Sequence, residues 1–220
     1  MAEWLNLTFF NFDRSVFLSM HNLALKNGGF FTPFFSFITF FGNGGWLPLV
    51  VGIVLLLFKK TRKVGFTILL SMGIGALITN LLLKNLVARP RPYIESLEYN
   101  EWWQFVWGKP ESDLSFPSGH MTSITAFAMA IFLTCDKKYS WLGFIFAILM
   151  GLSRIYLIVH YATDVIVGGV VGLIGGIAGY YLAKLISSLL DKNKDSKVIK
   201  FFSELDLTKL FNKKEDKENK

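Results

Sequence analysis

Long apolar runs constrain the fold of this chain more than any other feature of its sequence. Several of them approach the ~20 residues that a helix needs to cross the hydrocarbon core of a bilayer. A run inside a bilayer meets no water, so its backbone N–H and C=O groups must bond to each other in a helix. The chain is 52% hydrophobic with a mean hydropathy of +0.44, more apolar than a typical soluble domain. The sequence therefore predicts an all-α, polytopic membrane protein.

Six transmembrane helices arranged in a bundle are predicted from the positions of these runs. They cover residues 30–41, 46–58, 64–83, 121–135, 141–159 and 165–190. Residues 1–27 mix aromatic and charged side chains, which predicts an amphipathic helix lying in the membrane interface. We expect one transmembrane domain over residues 1–190 and a cytoplasmic, partly disordered charged tail over residues 191–220. Gly168, Gly172 and Gly176 recur every four residues, a spacing that indicates a seam of close helix packing.

Basic residues in the short loops predict the orientation of the chain in the plasma membrane. The net charge is +7, and lysines cluster at residues 59–63, at residues 137–138 and in the tail. Cytoplasmic loops are enriched in Lys and Arg, so these segments, and by alternation the N-terminus, are expected inside the cell. Residues 84–120 and the turn near His160 then face outward. The charge pattern indicates anionic lipid headgroups as partners rather than nucleic acid.

Three polar clusters lie beside the apolar runs, and the predicted topology puts all three on the outer side. They are KNLVARPRP at residues 84–92, PSGH at 117–120 and SRIYLIVHYATD at 153–164. Together they supply a lysine, arginines, two histidines and an aspartate. Fixed cations stabilise the charge that develops on phosphoryl oxygens in a transition state, so the clusters indicate a phosphate site.

His160 and Asp164 are the candidate nucleophile and its partner. They are four residues apart and share a face if the segment is helical. An aspartate that accepts the Nδ1–H of an imidazole fixes its tautomer and leaves Nε2 free to attack phosphorus. Taken alone, the histidine also fits a role as a cap of the last helix. A charged pair beside two membrane spans is costly, however, and usually functional.

His120 is the candidate general acid. It follows Gly119 at the predicted start of a helix, where small size and free backbone N–H groups favour an approaching anion. His120 would protonate the leaving oxygen, which is worth on the order of 10²–10⁴-fold in rate. The alternative is a tight turn that simply enters a helix. His21 has no acidic or histidine partner at a useful spacing and is interpreted as structural.

Lys84, Arg91 and Arg154 are the candidate phosphate-binding cations, because an arginine fork binds two oxygens and a lysine acts as a point charge. Headgroup snorkelling at the end of a span is the alternative for Lys84 and Arg89. The sequence has no HExxH motif and one cysteine, and the carboxylates of the outer loop are scattered. It therefore predicts neither a metal nor another cofactor.

The clusters resemble the signature of the type 2 phosphatidic acid phosphatase (PAP2) superfamily: Lys, six residues and Arg-Pro; Pro-Ser-Gly-His; then Ser-Arg, five residues, His, three residues and Asp. Every position of this pattern is present between Lys84 and Asp164. The resemblance implies catalysis through a phosphohistidine without a metal. The roles it implies are phosphate binding by Lys84, Arg91, Ser118, Gly119 and Arg154, acid catalysis by His120, nucleophilic attack by His160 and orientation by Asp164. Arg89 lies outside the pattern, and its role stays open.

The resemblance also suggests a substrate, a lipid phosphate or diphosphate. An outward-facing site suits undecaprenyl diphosphate, which is released on that side during cell-wall assembly, and the Trp-rich loop of residues 93–113 would line the lipid entrance. Phosphatidylglycerophosphate and phosphatidic acid are alternatives with the same mechanism. A transporter of a phosphorylated lipid, a scaffold with vestigial motifs and a phosphoryl exchange between lipids are the other hypotheses.

Overall fold

The computed structural model of this protein describes residues 1–192 and Asp206. Nearly all of the predicted tail at residues 191–220 therefore lies outside the described residues. The described part of the chain is all-helical, as predicted. Its helices are α1 (Ala2–Thr8), α2 (Phe10–Phe40), α3 (Trp46–Leu56), α4 (Arg62–Ala76), α5 (Lys84–Val87), α6 (Pro92–Glu95), α7 (Leu97–Val106), α8 (Gly119–Thr134), α9 (Lys137–Ser140), α10 (Leu142–Tyr156) and α11 (Ala162–Lys192).

Four helical stretches of the described residues are long and apolar enough to cross a membrane. They are Phe10–Leu56, Arg62–Glu95, Lys137–Tyr156 and Ala162–Lys192, and Gly119–Thr134 is a shorter apolar helix. The first stretch contains both α2 and α3, joined by the short 3₁₀ turn Asn43–Gly45. Gly44 and Gly45 have φ values of +58° and +67° there, which glycine adopts readily. Length and composition thus identify four crossings and one shorter candidate, fewer than the six predicted.

The N-terminal half of α2 packs against the rest of the protein. The predicted boundary at residue 27 coincides with a kink, because Asn27 has non-helical dihedral angles of φ −139° and ψ 29° within α2. Before the kink, α2 buries Asp13, Phe17 and Ala24. The Phe17 ring lies 5.7 Å from the ring of Tyr161, between α10 and α11. This half of α2 therefore contributes a wall to the end of the bundle where the last two helices are joined.

Helix α11 is the central element and packs against α8 and α4 along its glycines. A Cβ atom on Gly168 would lie 2.6 Å from the Ser118 carbonyl oxygen, and one on Gly176 would lie 2.5 Å from the Met129 Cβ. Such distances are well inside van der Waals contact, so only glycine permits this approach of the backbones. The predicted packing seam is confirmed.

Replacing Gly172 with alanine is expected to lower the stability of the bundle. The new Cβ would lie 2.6 Å from the Thr125 Cβ and 2.7 Å from the Thr122 carbonyl oxygen, so α8 must shift. Overpacking of this kind typically costs about 1–3 kcal/mol. Gly73→Ala is the matched control, because a Cβ there meets nothing within 4 Å and helical alanine is favoured over glycine. The unfolding temperatures of both variants are measured in detergent. Equal unfolding temperatures would contradict the close packing of α11 against α8 at Gly172.

Candidate active site

The three clusters predicted from the sequence meet at one end of the bundle, around a cavity of about 270 Å³. Five of the predicted site residues line it: Lys84, Arg91, Gly119, His120 and His160. The other three, Ser118, Arg154 and Asp164, are fully buried beside it. The cavity is also lined by Glu111 and Asp113, which the sequence analysis did not place in the site.

His160 lies in the connection between α10 and α11, and Asp164 lies in the first turn of α11. The expectation that a shared helix face unites them is therefore wrong, although they are close. The His160 Nδ1 atom is 3.6 Å from Asp164 Oδ2, longer than a hydrogen bond. Apo sites often show such long contacts, which tighten when substrate binds. Within the described residues this Nδ1 has no hydrogen-bond partner, which leaves its proton free to turn toward Asp164.

The other ring nitrogen of His160 faces the guanidinium of Arg91. Arg91 Nη1 lies 2.9 Å from His160 Nε2 and also donates to the Val159 carbonyl at 2.7 Å. Burial, together with the charges of Arg91 and Arg154, lowers the pKa of His160 well below its usual value. The imidazole is therefore neutral at pH 7, with the Nε2 lone pair directed at the cation. This is the protonation state that a nitrogen nucleophile requires.

The candidate phosphate-binding cations Lys84, Arg91 and Arg154 are neutralised by the two unpredicted carboxylates. Asp113 forms ion pairs with both Lys84 and Arg91. Glu111 pairs with Arg154, and its second oxygen lies 3.7 Å from Arg91 Nη2. Burial alone would raise the pKa of Asp113, but its hydrogen bond to Lys84 and the charge of Arg91 hold that pKa below its ordinary value. Asp113 is thus ionised, and both carboxylates belong to the site.

The start of α8 is held against the start of α11. The backbone N–H of Ser118 donates to the Asp164 carbonyl at 3.1 Å, and the Ser118 hydroxyl oxygen caps α8 by accepting from the Met121 N–H at 3.5 Å. His120, in the first turn, lines the cavity, with its Nε2 3.0 Å from Asn43 Oδ1. Both histidines therefore face the same cavity, as attack and leaving-group protonation require.

Arg89 is a functional candidate whose role the sequence left open. It is fully buried, so headgroup snorkelling is the wrong interpretation for it, and Lys84 is only 7% exposed. Arg89 donates to Asp164 Oδ1 at 2.6 Å and to Asp13 Oδ2 at 3.0 Å. Its guanidinium carbon also lies 3.6 Å from the ring centroid of Tyr161. Arg89 therefore connects the N-terminal part of α2 to the carboxylate beside His160.

Asp164 is fixed by three donors. Besides Arg89, the hydroxyl of Ser115 donates to Asp164 Oδ2 at 2.5 Å and the backbone N–H of Tyr161 donates at 3.1 Å. Among residues 1–192 and Asp206, no group of three or more histidine, cysteine, aspartate and glutamate side chains could hold a metal ion.

Comparison with known proteins points in the same direction. The family model of the PAP2 superfamily matches residues 64–187. An undecaprenyl-diphosphatase of Sulfolobus acidocaldarius is 32% identical over 164 residues, which cover 74% of this chain and 73% of the relative. A lipid A 4'-phosphatase of Bacteroides thetaiotaomicron is 29% identical over 182 residues, 78% of this chain and 80% of the relative. The crystal structure of Aquifex aeolicus LpxE superimposes with a TM-score of 0.63 at 26% identity, covering 75% of this chain and 92% of that one.

Proposed function

This chain belongs to the PAP2 superfamily of membrane lipid phosphatases, and on that premise we propose that it hydrolyses undecaprenyl diphosphate to undecaprenyl phosphate through a phosphohistidine, without a metal. The observation that carries the mechanism is the contact between the neutral, buried His160 and Arg91, at 2.9 Å. A cation that touches the nucleophilic nitrogen can hold a phosphoryl oxygen beside it once substrate enters.

In the first step, the Nε2 lone pair of His160 forms a bond to the terminal phosphorus while the bond from that phosphorus to the bridging oxygen breaks. The negative charge of the bound diphosphate favours the protonated form of His120, which then donates its proton to the departing oxygen, so the product leaves as undecaprenyl phosphate. The Nδ1 proton of His160 turns toward Asp164, which compensates the positive charge that develops on the ring. Arg91, Arg154 and Lys84 stabilise the charge on the equatorial oxygens.

In the second step, water attacks the phosphohistidine and its proton passes to His120. The bond between phosphorus and Nε2 breaks, inorganic phosphate leaves, and both histidines return to their starting states. The donors on Asp164 support this cycle, because they keep the carboxylate in one orientation while the ring charge changes.

We also propose that the chain crosses the membrane six times, by α2, α3, α4 with the π-helical segment Leu77–Leu83 that follows it, α8, α10 and α11. Four lysines that meet at the other end of the bundle support a cytoplasmic end. Lys60, Lys63, Lys184 and Lys192 line a second cavity, of about 740 Å³. Lys184 lies 20 residues along α11 from Asp164, roughly 30 Å away at the helical rise. The site would then face outward and both termini inward.

The choice of lipid rests on the relatives and on the Trp-rich segment. The names of the relatives, an undecaprenyl-diphosphatase and a lipid A 4'-phosphatase, differ in the lipid but share a phosphate on a hydrophobic anchor. Phosphatidylglycerophosphate and phosphatidic acid carry such a group too. The Trp-rich segment has apolar side chains exposed beside the site, including Ile94, Leu97 and Phe105, which supports contact with a lipid tail. Transport of the lipid without cleavage would leave the neutral histidine without a role.

The test is phosphate release by the purified protein in detergent with EDTA. Undecaprenyl diphosphate, phosphatidylglycerophosphate and phosphatidic acid are compared at equal mole fraction in the micelles. We expect release that EDTA does not reduce, fastest with undecaprenyl diphosphate. Loss of activity in EDTA that added metal restores would overturn the metal-free mechanism. Absence of release from every lipid, with uptake of the lipid into vesicles, would favour transport instead.

A further inference from the structure

The carboxylates of Glu111 and Asp113 bridge the cations of the proposed phosphate site in a continuous chain. We use the name phosphate cradle for the side chains of Lys84, Arg91 and Arg154. Asp113 joins Lys84 to Arg91, and Glu111 joins Arg91 to Arg154. Each carboxylate therefore contacts two members of the cradle, in the way that a phosphate with several oxygens would.

The two partners in these ion pairs differ sharply in burial. The side chains of the cradle are at most 9% exposed, whereas that of Asp113 is 50% exposed and that of Glu111 is 22% exposed. The arginines also have partners that are not acids. Arg91 donates to the Val159 carbonyl, and Arg154 donates to the Thr39 hydroxyl at 2.6 Å. The cations are fixed, and the acids reach them from the solvent side.

The backbone that carries the two acids is itself anchored. The Glu111 N–H donates to the Tyr93 hydroxyl at 3.0 Å, and Arg91 Nε donates to the Asp113 carbonyl oxygen at 3.0 Å. Rotation of the two acidic side chains toward solvent frees the cradle without moving the loop. Displacement of the carboxylates by a phosphate therefore costs ion pairs, but little rearrangement of the chain.

Charge decides which ligands can make that exchange. Buried cations without a partner are strongly destabilising. A ligand must therefore supply about as much negative charge as the carboxylates that it displaces. A terminal phosphate carries about −1.5 to −2 charges at pH 7 and can replace both carboxylates. A phosphodiester headgroup carries a single charge and has two free oxygens rather than three. A phosphodiester would therefore compensate less of the positive charge of the cradle than the two carboxylates do.

We infer that Glu111 and Asp113 are specificity-determining residues, internal competitors that admit lipids with a terminal phosphate and exclude the phosphodiester lipids of the surrounding membrane. The inference rests on the proposed function, because it deepens the account of the same site. It assigns the selectivity to two loop side chains that compete with substrate, rather than to the shape of the cavity.

The test uses soluble headgroup probes and a readout that needs no turnover. Methyl phosphate carries the terminal group and dimethyl phosphate the diester, and binding is measured as the rise in unfolding temperature of the purified protein in detergent. The variants are Asp113→Asn and Glu111→Gln, which keep the shape and remove the charge. Glu101→Gln, an exposed acid on α7 of the same segment, is the matched control.

The wild-type protein is expected to bind methyl phosphate at least about 100-fold more tightly than dimethyl phosphate. Either amide variant should bind both probes more tightly, by about ten-fold for each competing charge removed. The ratio of the affinities for methyl phosphate and dimethyl phosphate should become smaller. Glu101→Gln should match the wild type. If the variants bound methyl phosphate as weakly as the wild type or more weakly, the carboxylates would be positioning the cradle and the inference would be overturned. Equal binding of both probes by the wild type would overturn it as well.

The two proposals fail in different ways. A protein that releases no phosphate from any lipid, yet discriminates between the probes as described, would refute the proposed reaction and support the role of the carboxylates. A protein that releases phosphate, but whose amide variants bind both probes as the wild type does, would support the proposed reaction and refute the role of the carboxylates.

Discussion

Replacing His160 with alanine is expected to reduce phosphate release to the background rate, whichever lipid is supplied. The variant removes the imidazole whose Nε2 lies against the cation of Arg91 and whose Nδ1 lies near Asp164. Without it the phosphoryl group has no covalent acceptor, and the remaining cations only bind. Release is measured by a phosphate assay in detergent. Covalent transfer is measured by labelling with a radioactive phosphoryl donor and quenching in alkali, because the P–N bond of a phosphohistidine is stable in base and hydrolyses in acid.

Two further histidine variants make this result interpretable. His21 stacks on Trp102 with ring centroids 4.4 Å apart, away from the lining of the cavity, so His21→Ala should retain activity. His120→Ala should lose on the order of 10²–10⁴-fold in rate, the range for general acid–base catalysis, and should still accept label on His160 from an activated donor that needs no protonation. Activity of His160→Ala near that of His21→Ala would refute the phosphohistidine mechanism.

Replacing Arg89 with methionine should cost more stability than any single change at the surface of the bundle. The substitution leaves the buried carboxylates of Asp13 and Asp164 without their shared cation. In the intact protein, Arg89 Nη2 lies 3.0 Å from Asp13 Oδ2 and Arg89 Nη1 lies 2.6 Å from Asp164 Oδ1. Removing one partner of a buried pair typically costs about 3–5 kcal/mol. We expect a large drop in unfolding temperature in detergent and loss of phosphate release, since Asp164 would no longer be held in place.

Arg89→Lys and Arg14→Ala separate charge from geometry. Lysine keeps the positive charge but cannot donate along two directions as the guanidinium does, so stability should recover further than kcat, with KM little changed. Arg14 pairs with Glu98 at 3.1 Å, but both side chains are about 40% exposed, so its loss should cost less than about 1 kcal/mol. If the Arg89→Met protein unfolded at the same temperature as the Arg14→Ala protein, the positioning role of Arg89 would be contradicted. A normal kcat of the Arg89→Lys protein would contradict it as well.

The sequence predicted the composition of the site better than its internal pairing. The eight residues chosen from the three clusters all lie at or beside one cavity, because each cluster lies at the end of an apolar helix and these ends meet. By residue type alone, Glu111 and Asp113 are indistinguishable from the other acidic residues of the outer loop. The available signal was their position six and four residues before Pro117, close enough that the loop cannot carry them far from the second cluster.

The helix boundaries show a similar division. The break expected at residue 27 is present as a kink within α2, and residues on both sides of the kink are buried. The predicted last turns of the fifth span, up to Val159, are instead part of an irregular connection in which Ile158 has φ +55°. That connection places His160 against Arg91, and hydrophobicity alone could not distinguish it from a helix.

Apolar runs and residue identity were thus sufficient to predict a helical membrane protein of the PAP2 superfamily, because both depend on local sequence. The partners of the charges depended on packing. Arg89 meets Asp13 across 76 positions, and Arg154 meets Thr39 across 115. Such contacts form only when distant helices pack side by side. In a buried, low-dielectric setting, the choice of partner controls whether a charge binds substrate, holds a catalytic carboxylate or is neutralised.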